Sequence, residues 1–213
     1  MIPVVDNPLF SLQPVTLTGK VIRLEPLGLQ HVADLTVAGN DESIWEHMVY
    51  GRVIDEVRMR AWVEDMLSRQ SQGTDLPFVI VHLAAGRAIG ATRFMEIRPQ
   101  HRGVEIGGTW IARAFQRTAV NTESKYLLLT YAFETLKCVR VQLKTDVKNL
   151  RAQQAIERIG AVKEGIFRQH IILLDGRLRD SVYYSILDRE WPEVKTHLER
   201  LLNRAGDVQP GTQ

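Results

Sequence analysis

The chemistry most readily read from this sequence lies in a turn, Gln116-Arg-Thr-Ala-Val-Asn-Thr-Glu123, that joins an alternating segment to a strongly periodic one. A helix start presents backbone N–H groups without partners and the positive end of the helix dipole. It can therefore hold a phosphate or pyrophosphate without a dedicated side chain. Arg117 adds a charged donor beside it. The plainer reading is an ordinary capped helix, with Asn121 as its N-cap and Glu123 in the first turn, favouring the dipole and opposing a nearby anion. A second helix start follows at Asn149, and its helix closes at Gly160, a residue suited to a left-handed cap.

Other chemistries find no footing. The six histidines, His31, His47, His82, His101, His170 and His197, show no metal-ligand spacing. No serine sits in a Gly-x-Ser-x-Gly elbow, and Gly86 to Gly90 is neither a dinucleotide fingerprint nor a Walker loop. Cys138 is the single cysteine, which excludes an internal disulfide and a cysteine zinc site. It reads as a buried structural thiol suited to a reducing cytoplasm.

The elements that must position these residues follow from periodicity. Val21–Pro26 alternates as a strand, helices are expected near 30–38, 44–50 and 55–72, and Val57, Ala61, Trp62, Met66 and Leu67 mark the apolar face of the last. Phe78–Leu83 and Ala88–Phe94 form a hairpin around Ala85-Gly86-Arg87. Val104–Ile111 continues the meander, with Gly107-Gly108 marking a bulge. A helix to about Leu136, a strand Val139–Thr145, the Asn149 helix, two strands flanking Asp175-Gly176 and a helix from Pro192 to about Arg204 complete the order, about seven strands in all.

Composition fits one folded unit. Apolar residues make up 45% and charged residues 24% of the 213, enough for a packed core, and 27 basic against 25 acidic residues are interspersed for a net +2. No strong field for nucleic acid or membrane follows, and neither a leader nor a membrane-spanning run is seen. The expected division is an extension over 1–14, a domain over 15–192, and a C-terminal helix and fraying tail over 193–213.

The ordered set Glu105-Ile-Gly-Gly-Thr-Trp, Gln116 to Glu123, Asn149 to Gly160 and Arg179-Asp-Ser-Val-Tyr-Tyr184 resembles the GNAT acetyltransferases, in particular the RimJ/RimL-like branch, over about residues 15–192. The resemblance implies an α/β (α+β) GNAT fold, a seven-stranded mixed sheet flanked by helices, with a splayed pair of central strands, here Val104–Ile111 and Val139–Thr145. It implies an N-acetyltransferase that moves an acetyl group from acetyl-CoA, its cosubstrate, to a primary amine such as a protein N-terminus or a small amine, with no metal. A homodimer is a further implication. The alternative is a catalytically weak module of the same fold that binds CoA or a protein partner, motivated by Ala119, Ala152 and Ile156.

Residue by residue, the likeness assigns pyrophosphate binding to backbone amides from Arg117 through Thr118, Ala119, Val120 and Asn121 to Thr122, behind Gln116. Pantetheine pairing falls to main-chain groups of Trp110 and Ile111 and to the Asn149 side chain, which reads equally as an N-cap. The turn departs from the family's Gln/Arg-x-x-Gly-x-Gly/Ala pattern at Ala119, tolerable if its φ is negative. Lys144, Lys148 and Arg151 could meet CoA phosphates or form a solvated face. An ammonium has no lone pair, so a base must remove its proton, and Glu105, eleven positions before Gln116, matches the general-base glutamate of several family members. Its plain alternative is a half-exposed strand carboxylate. The family's acid position is empty at Ala152 and Ile156, which leaves Tyr183, Tyr184 or water. Trp45, Tyr50, His101, Phe167 and His170 fall in segments that border the acceptor pocket in this family.

Overall fold

A computed structural model describes residue 10 and residues 12–206. Within these residues eight strands form one sheet: β1 (Leu17–Thr18), β2 (Ile22–Pro26), β3 (Leu76–His82), β4 (Arg87–Arg98), β5 (Gly103–Ile111), β6 (Arg140–Asp146), β7 (Val162–Ile172) and β8 (Leu178–Leu187), in the order β1-β2-β3-β4-β5-β6-β8-β7. The sheet exceeds the expected seven strands by β1, whose two residues are too short to show an alternation. Among the described residues five α-helices flank it: α1 (Val32–Ala38), α2 (Glu56–Ser71), α3 (Ala119–Thr130), α4 (Leu150–Arg158) and α5 (Trp191–Gly206). The expected extension over 1–14 and the expected helix and tail over 193–213 are described only in part. Residues 1–9, 11 and 207–213 lie outside the described residues, and α5 carries Asn203 and Arg204 within its last turns.

One face of the sheet packs against α3, α4 and α5 through Val104, Ile106, Val141, Leu143, Val182 and Tyr184. The other packs against α1 and α2 through Val79, Val81, Ala88, Ala91 and Trp110, all on β3, β4 or β5. On that second face β6, β8 and β7 extend past the helices. α2 begins where Asp55 accepts the amide of Arg58, and it buries Met59, Trp62, Val63 and Met66. Val57 and Ala61, expected on that face, are exposed, because the 59-62-63-66 stripe is the one turned to the sheet. The segment 44–50 is not a helix. It is a short 3-10 turn, Glu42–Ile44, followed by turns, with Trp45 inserted into the core and its indole N–H donating to the Gly39 carbonyl at 2.8 Å.

Every neighbouring pair of strands is antiparallel except β5 and β6. These two run parallel and pair at only three positions, Gly103 with Arg140, Val104 with Val141 and Glu105 with Gln142. Beyond Gln142 the strands part. The expected bulge is present: Ala91 faces Trp110 and Arg93 faces Gly107, so Gly108 and Thr109 together oppose Thr92. Gly108 has φ 58°, a left-handed conformation in which a side chain is strained. The bulge changes the facing, so that Val104, Ile106 and then Ile111 lie on the α3 side while Trp110 turns to the α1/α2 core.

Candidate active site

At the fork of β5 and β6 lies Glu105, 1% exposed. Its Oε2 accepts from Gln142 Nε2 at 2.7 Å and from Lys144 Nζ at 3.1 Å, while Oε1 faces Gly107, 3.1 Å from where a Cβ on that glycine would stand. The half-exposed strand carboxylate expected as the alternative is therefore not what the fold builds. Lys144, a candidate for a phosphate or a solvated face, is instead turned to Glu105. Gln142 Oε1 in turn accepts from Arg98 Nη2 at 2.7 Å.

Beside this cluster a cavity of about 450 Å³ opens on the stretch of sheet that α1 and α2 leave uncovered, with Gln142, Lys144, Phe167, His170 and Tyr183 in its wall. The Tyr183 ring lies 4.3 Å from that of Phe167, and its hydroxyl is 3.1 Å from His170 Nε2, while His170 Nδ1 is 3.0 Å from Ser181 Oγ. Burial, then the positive charges of Lys144 and Arg179, hold the His170 imidazole below its usual pKa, which keeps it neutral near pH 7. Burial, then Glu105 and Glu96, push the Tyr183 phenol up to about 12, so it keeps its proton. Tyr184 faces away. Its hydroxyl donates to Glu157 of α4 at 3.1 Å.

Of the other residues expected to border this site, Phe167 and His170 do so. Tyr50 approaches from the α1/α2 side, its hydroxyl 2.9 Å from the Cβ position of Gly108. Trp45 is core, its ring 5.0 Å from that of Trp110, and His101 is exposed in the turn before β5.

At the open end of the fork α3 begins. Its N-cap is Thr118, not Asn121: the hydroxyl accepts the Val120 amide at 3.3 Å and donates to the Phe115 carbonyl at 2.7 Å. Arg117, with φ 63°, makes the left-handed turn into the helix, and Ala119 is an ordinary first helical residue. The glycine missing at 119 is thus not required for backbone conformation. A helix starting at Ala119 leaves the amides of Thr118 to Asn121 unpaired in the ladder, and Val120 is capped, so Thr118, Ala119 and Asn121 remain. The Thr122 amide enters the helix ladder.

Glu123 does not oppose an anion there. It is buried, and its carboxylate accepts the amides of Lys20, Val21 and Ile22 at 2.7, 2.7 and 2.8 Å, pinning the β1–β2 turn to α3.

Three cations surround this helix start: Arg117 itself, Arg151, which donates to Gln116 Oε1 at 2.9 Å, and Arg158, which donates to Thr122 Oγ1 at 2.8 Å. Gln116 Nε2 donates to the Ile111 carbonyl at 2.9 Å, tying the end of β5 to this corner. Because the Ala112 amide donates to Ile89, strand alternation turns the polar groups of Ile111 into the gap and those of Trp110 toward β4. Asn149 caps α4, its Oδ1 accepting the Ala152 amide at 3.0 Å, which leaves its NH2 for another acceptor. Sequence reasoning missed Gln142, Arg98 and Arg158. Gln142 meets Glu105, and Arg98 meets Gln142, only through strand pairing, and Arg158 lies two turns after Arg151 on the same helix, a spacing that carried a usable signal.

The family model described as Acetyltransferase (GNAT) domain matches residues 22–162. The Bacillus subtilis protein YdaF, named provisionally as a ribosomal N-acetyltransferase, is 37% identical over 110 residues; the match spans 52% of this chain and 59% of that protein. The crystal structure of a GCN5-related N-acetyltransferase from Brucella melitensis superposes with a TM-score of 0.84 at 28% identity, covering 90% of this chain and 86% of that one. Mycobacterium smegmatis RimJ, solved in complex with CoA-disulfide, shares the fold at a TM-score of 0.72 and 19% identity over 89% of this chain and 93% of its own. A family match over well over half of its length, on a sheet that forks where the sequence expected it to, makes this chain a member of the GNAT acetyltransferase family.

Proposed function

We propose that the protein is an N-acetyltransferase that carries an acetyl group from acetyl-CoA to a primary amine by direct attack in a ternary complex. The observation that carries this reading is the fork between β5 and β6, with a buried carboxylate at its closed end and an open helix start ringed by arginines at the other. Family membership supports the donor, and RimJ was solved with a CoA adduct. The amides of Thr118, Ala119 and Asn121 with Arg117 and Arg158 would hold the pyrophosphate, Ile111 would pair along the pantetheine arm, and the Asn149 NH2 would donate to it. The thioester supplies an activated acyl group.

The acceptor enters from the Phe167–Tyr183 cavity and gives up an ammonium proton to Glu105 Oε1, which exposes the nitrogen lone pair. The nitrogen attacks the thioester carbonyl, the N–C bond forms and the C–S bond breaks. A main-chain N–H at the gap meets the developing oxyanion. Tyr183, which keeps its proton at neutral pH and faces the cavity, protonates the departing sulfur, and the nitrogen's second proton restores the phenol. The acceptor class is a protein α-amino group or a small amine, a reading supported by the naming of YdaF. A reducing cytoplasm suits the one buried thiol, and a homodimer rests on family likeness.

The test is thiol release from acetyl-CoA across a panel of amines and N-terminal peptides. Release that depends on an amine and drops at least about a hundredfold in Glu105→Gln, with CoA affinity kept, supports the enzyme. Tight CoA binding with no release on any amine favours the weak binding module.

A further inference from the structure

Gln142 is the last residue of β6 that pairs with β5, directly opposite Glu105, and it is buried. Its amide is gripped at both ends, by Arg98 Nη2 on Oε1 and by Glu105 Oε2 on Nε2, each at 2.7 Å. Chemistry fixes this orientation. A guanidinium has only donors and a carboxylate only acceptors, so a flipped amide would set donor against donor and acceptor against acceptor. Arg98 Nε is buried without a hydrogen-bond partner among the described residues, so the guanidinium reaches the fork through Gln142.

We propose that Gln142 is a positioning residue for acyl transfer: it passes the polarity of Arg98 to Glu105 Oε2, joins Lys144 in occupying that oxygen, and so reserves Oε1 for the proton of the acceptor. The inference rests on the reading of Glu105 as the base. The geometry gives it a direction. Oε2 takes two donors from β6, whereas Oε1 faces Gly107, at the bulge where β5 diverges. The charged and titratable groups around Glu105 are Lys144 on β6, Arg179 and Tyr183 on β8, Arg98 and Glu96 on β4, and His170 on β7. Gln142 is the neutral member through which one of those charges acts, so replacing it changes the balance on Glu105 while leaving the others in place.

The test compares pH profiles of kcat/KM for wild type, Gln142→Glu and Gln142→Leu, with acetyl-CoA and the amine found active above. Gln142→Glu keeps an acceptor for Arg98 but sets a second carboxylate against Glu105, so the acidic limb should move to higher pH by at least one unit. That is about a tenfold loss on the limb, with recovery on the alkaline plateau. Gln142→Leu, which removes the donor without adding charge, should move the limb the same way by a smaller amount, and CoA affinity should stay within about threefold of wild type in both.

A limb that stays in place in both variants, or a loss equal at every pH, overturns the inference. Glu105→Gln separates the two failures. If its profile matches wild type, the base reading itself is wrong. If it is inactive while the Gln142 variants keep the wild-type limb, only the role of Gln142 falls. Should Gln142→Glu not fold, Gln142→Leu, of similar volume and without charge, decides alone.

Discussion

Lys125 offers a quantitative trial of how α3 is seated. It projects from α3 toward β5, is 6% exposed, and its ammonium donates to Thr109 Oγ1 at 2.6 Å, which lies 2.8 Å from Thr92 Oγ1. Among the described residues no carboxylate forms an ion pair with it, and burial alone lowers its pKa from 10.5 to about 7. At about 1.4 kcal/mol per unit, the folded protein carries a penalty of about 5 kcal/mol once the amine must be charged. Between pH 7 and 10.5 the unfolded chain holds this proton and the folded chain has shed it. Stability therefore rises with pH across that window, and the loss is complete once the pH falls below 7.

The residual penalty at pH 9 is about 2 kcal/mol, so about 3 kcal/mol separates pH 6 from pH 9. Lys125→Met, close in shape and without charge, removes the titration but also the bond to Thr109, a pH-independent cost of about 1 kcal/mol. Urea unfolding of both proteins at pH 6, 7, 8 and 9 isolates the effect, because other titrations cancel in the difference. The advantage of the methionine variant should shrink by about 3 kcal/mol from pH 6 to pH 9. A difference that stays flat within about 0.5 kcal/mol would refute the buried, unpaired amine.

Three further outcomes follow from the same geometry. Glu123→Ala removes an acceptor shared by three backbone amides and should cost about 3 kcal/mol, a fall in Tm of about 6–12 °C by calorimetry. Gly108→Ala must adopt φ 58° with its Cβ 2.9 Å from the Tyr50 hydroxyl; a loss of at least about 1 kcal/mol in urea unfolding and a tenfold or larger drop in thiol release are expected, with little change in CoA affinity. Arg158→Glu reverses a charge beside the start of α3 and should raise the CoA dissociation constant about tenfold or more by titration calorimetry, an effect that weakens at high salt.

Much of the frame was legible because it is written locally. The alternation of Val104–Ile111 and the Gly107-Gly108 pair gave strand and bulge, and Asn149 with Gly160 gave both ends of α4. The start of α3 was misplaced by three residues because Thr118 and Asn121 are both good caps, and the choice between them rests on the left-handed turn at Arg117 and the bond from Thr118 to Phe115. The helix expected over 44–50 was lost to Trp45, whose burial against Trp110 outweighs local propensity. Glu105 was singled out as a candidate from its strand and family spacing. Its partners were not, since Gln142 and Lys144 lie on a strand whose register with β5 no local pattern states.

The three-rung pairing of β5 with β6 also bears on how such a protein survives in a crowded solution. An unpaired strand edge is ordinarily a template for a foreign chain, and folds hide their edges with charge, proline or closure. Beyond Glu105, β5 has no strand paired to it on its β6 side, but the edge is interior, with the β6–β8–β7 leaf standing across a gap from it. A slender ligand can reach that edge where a broad sheet from another molecule cannot. The risk is confined to synthesis, when the β1–β5 meander is complete and residues 140–146 have yet to arrive, and variants that delay that closure should raise aggregation before they lower the stability of the folded state.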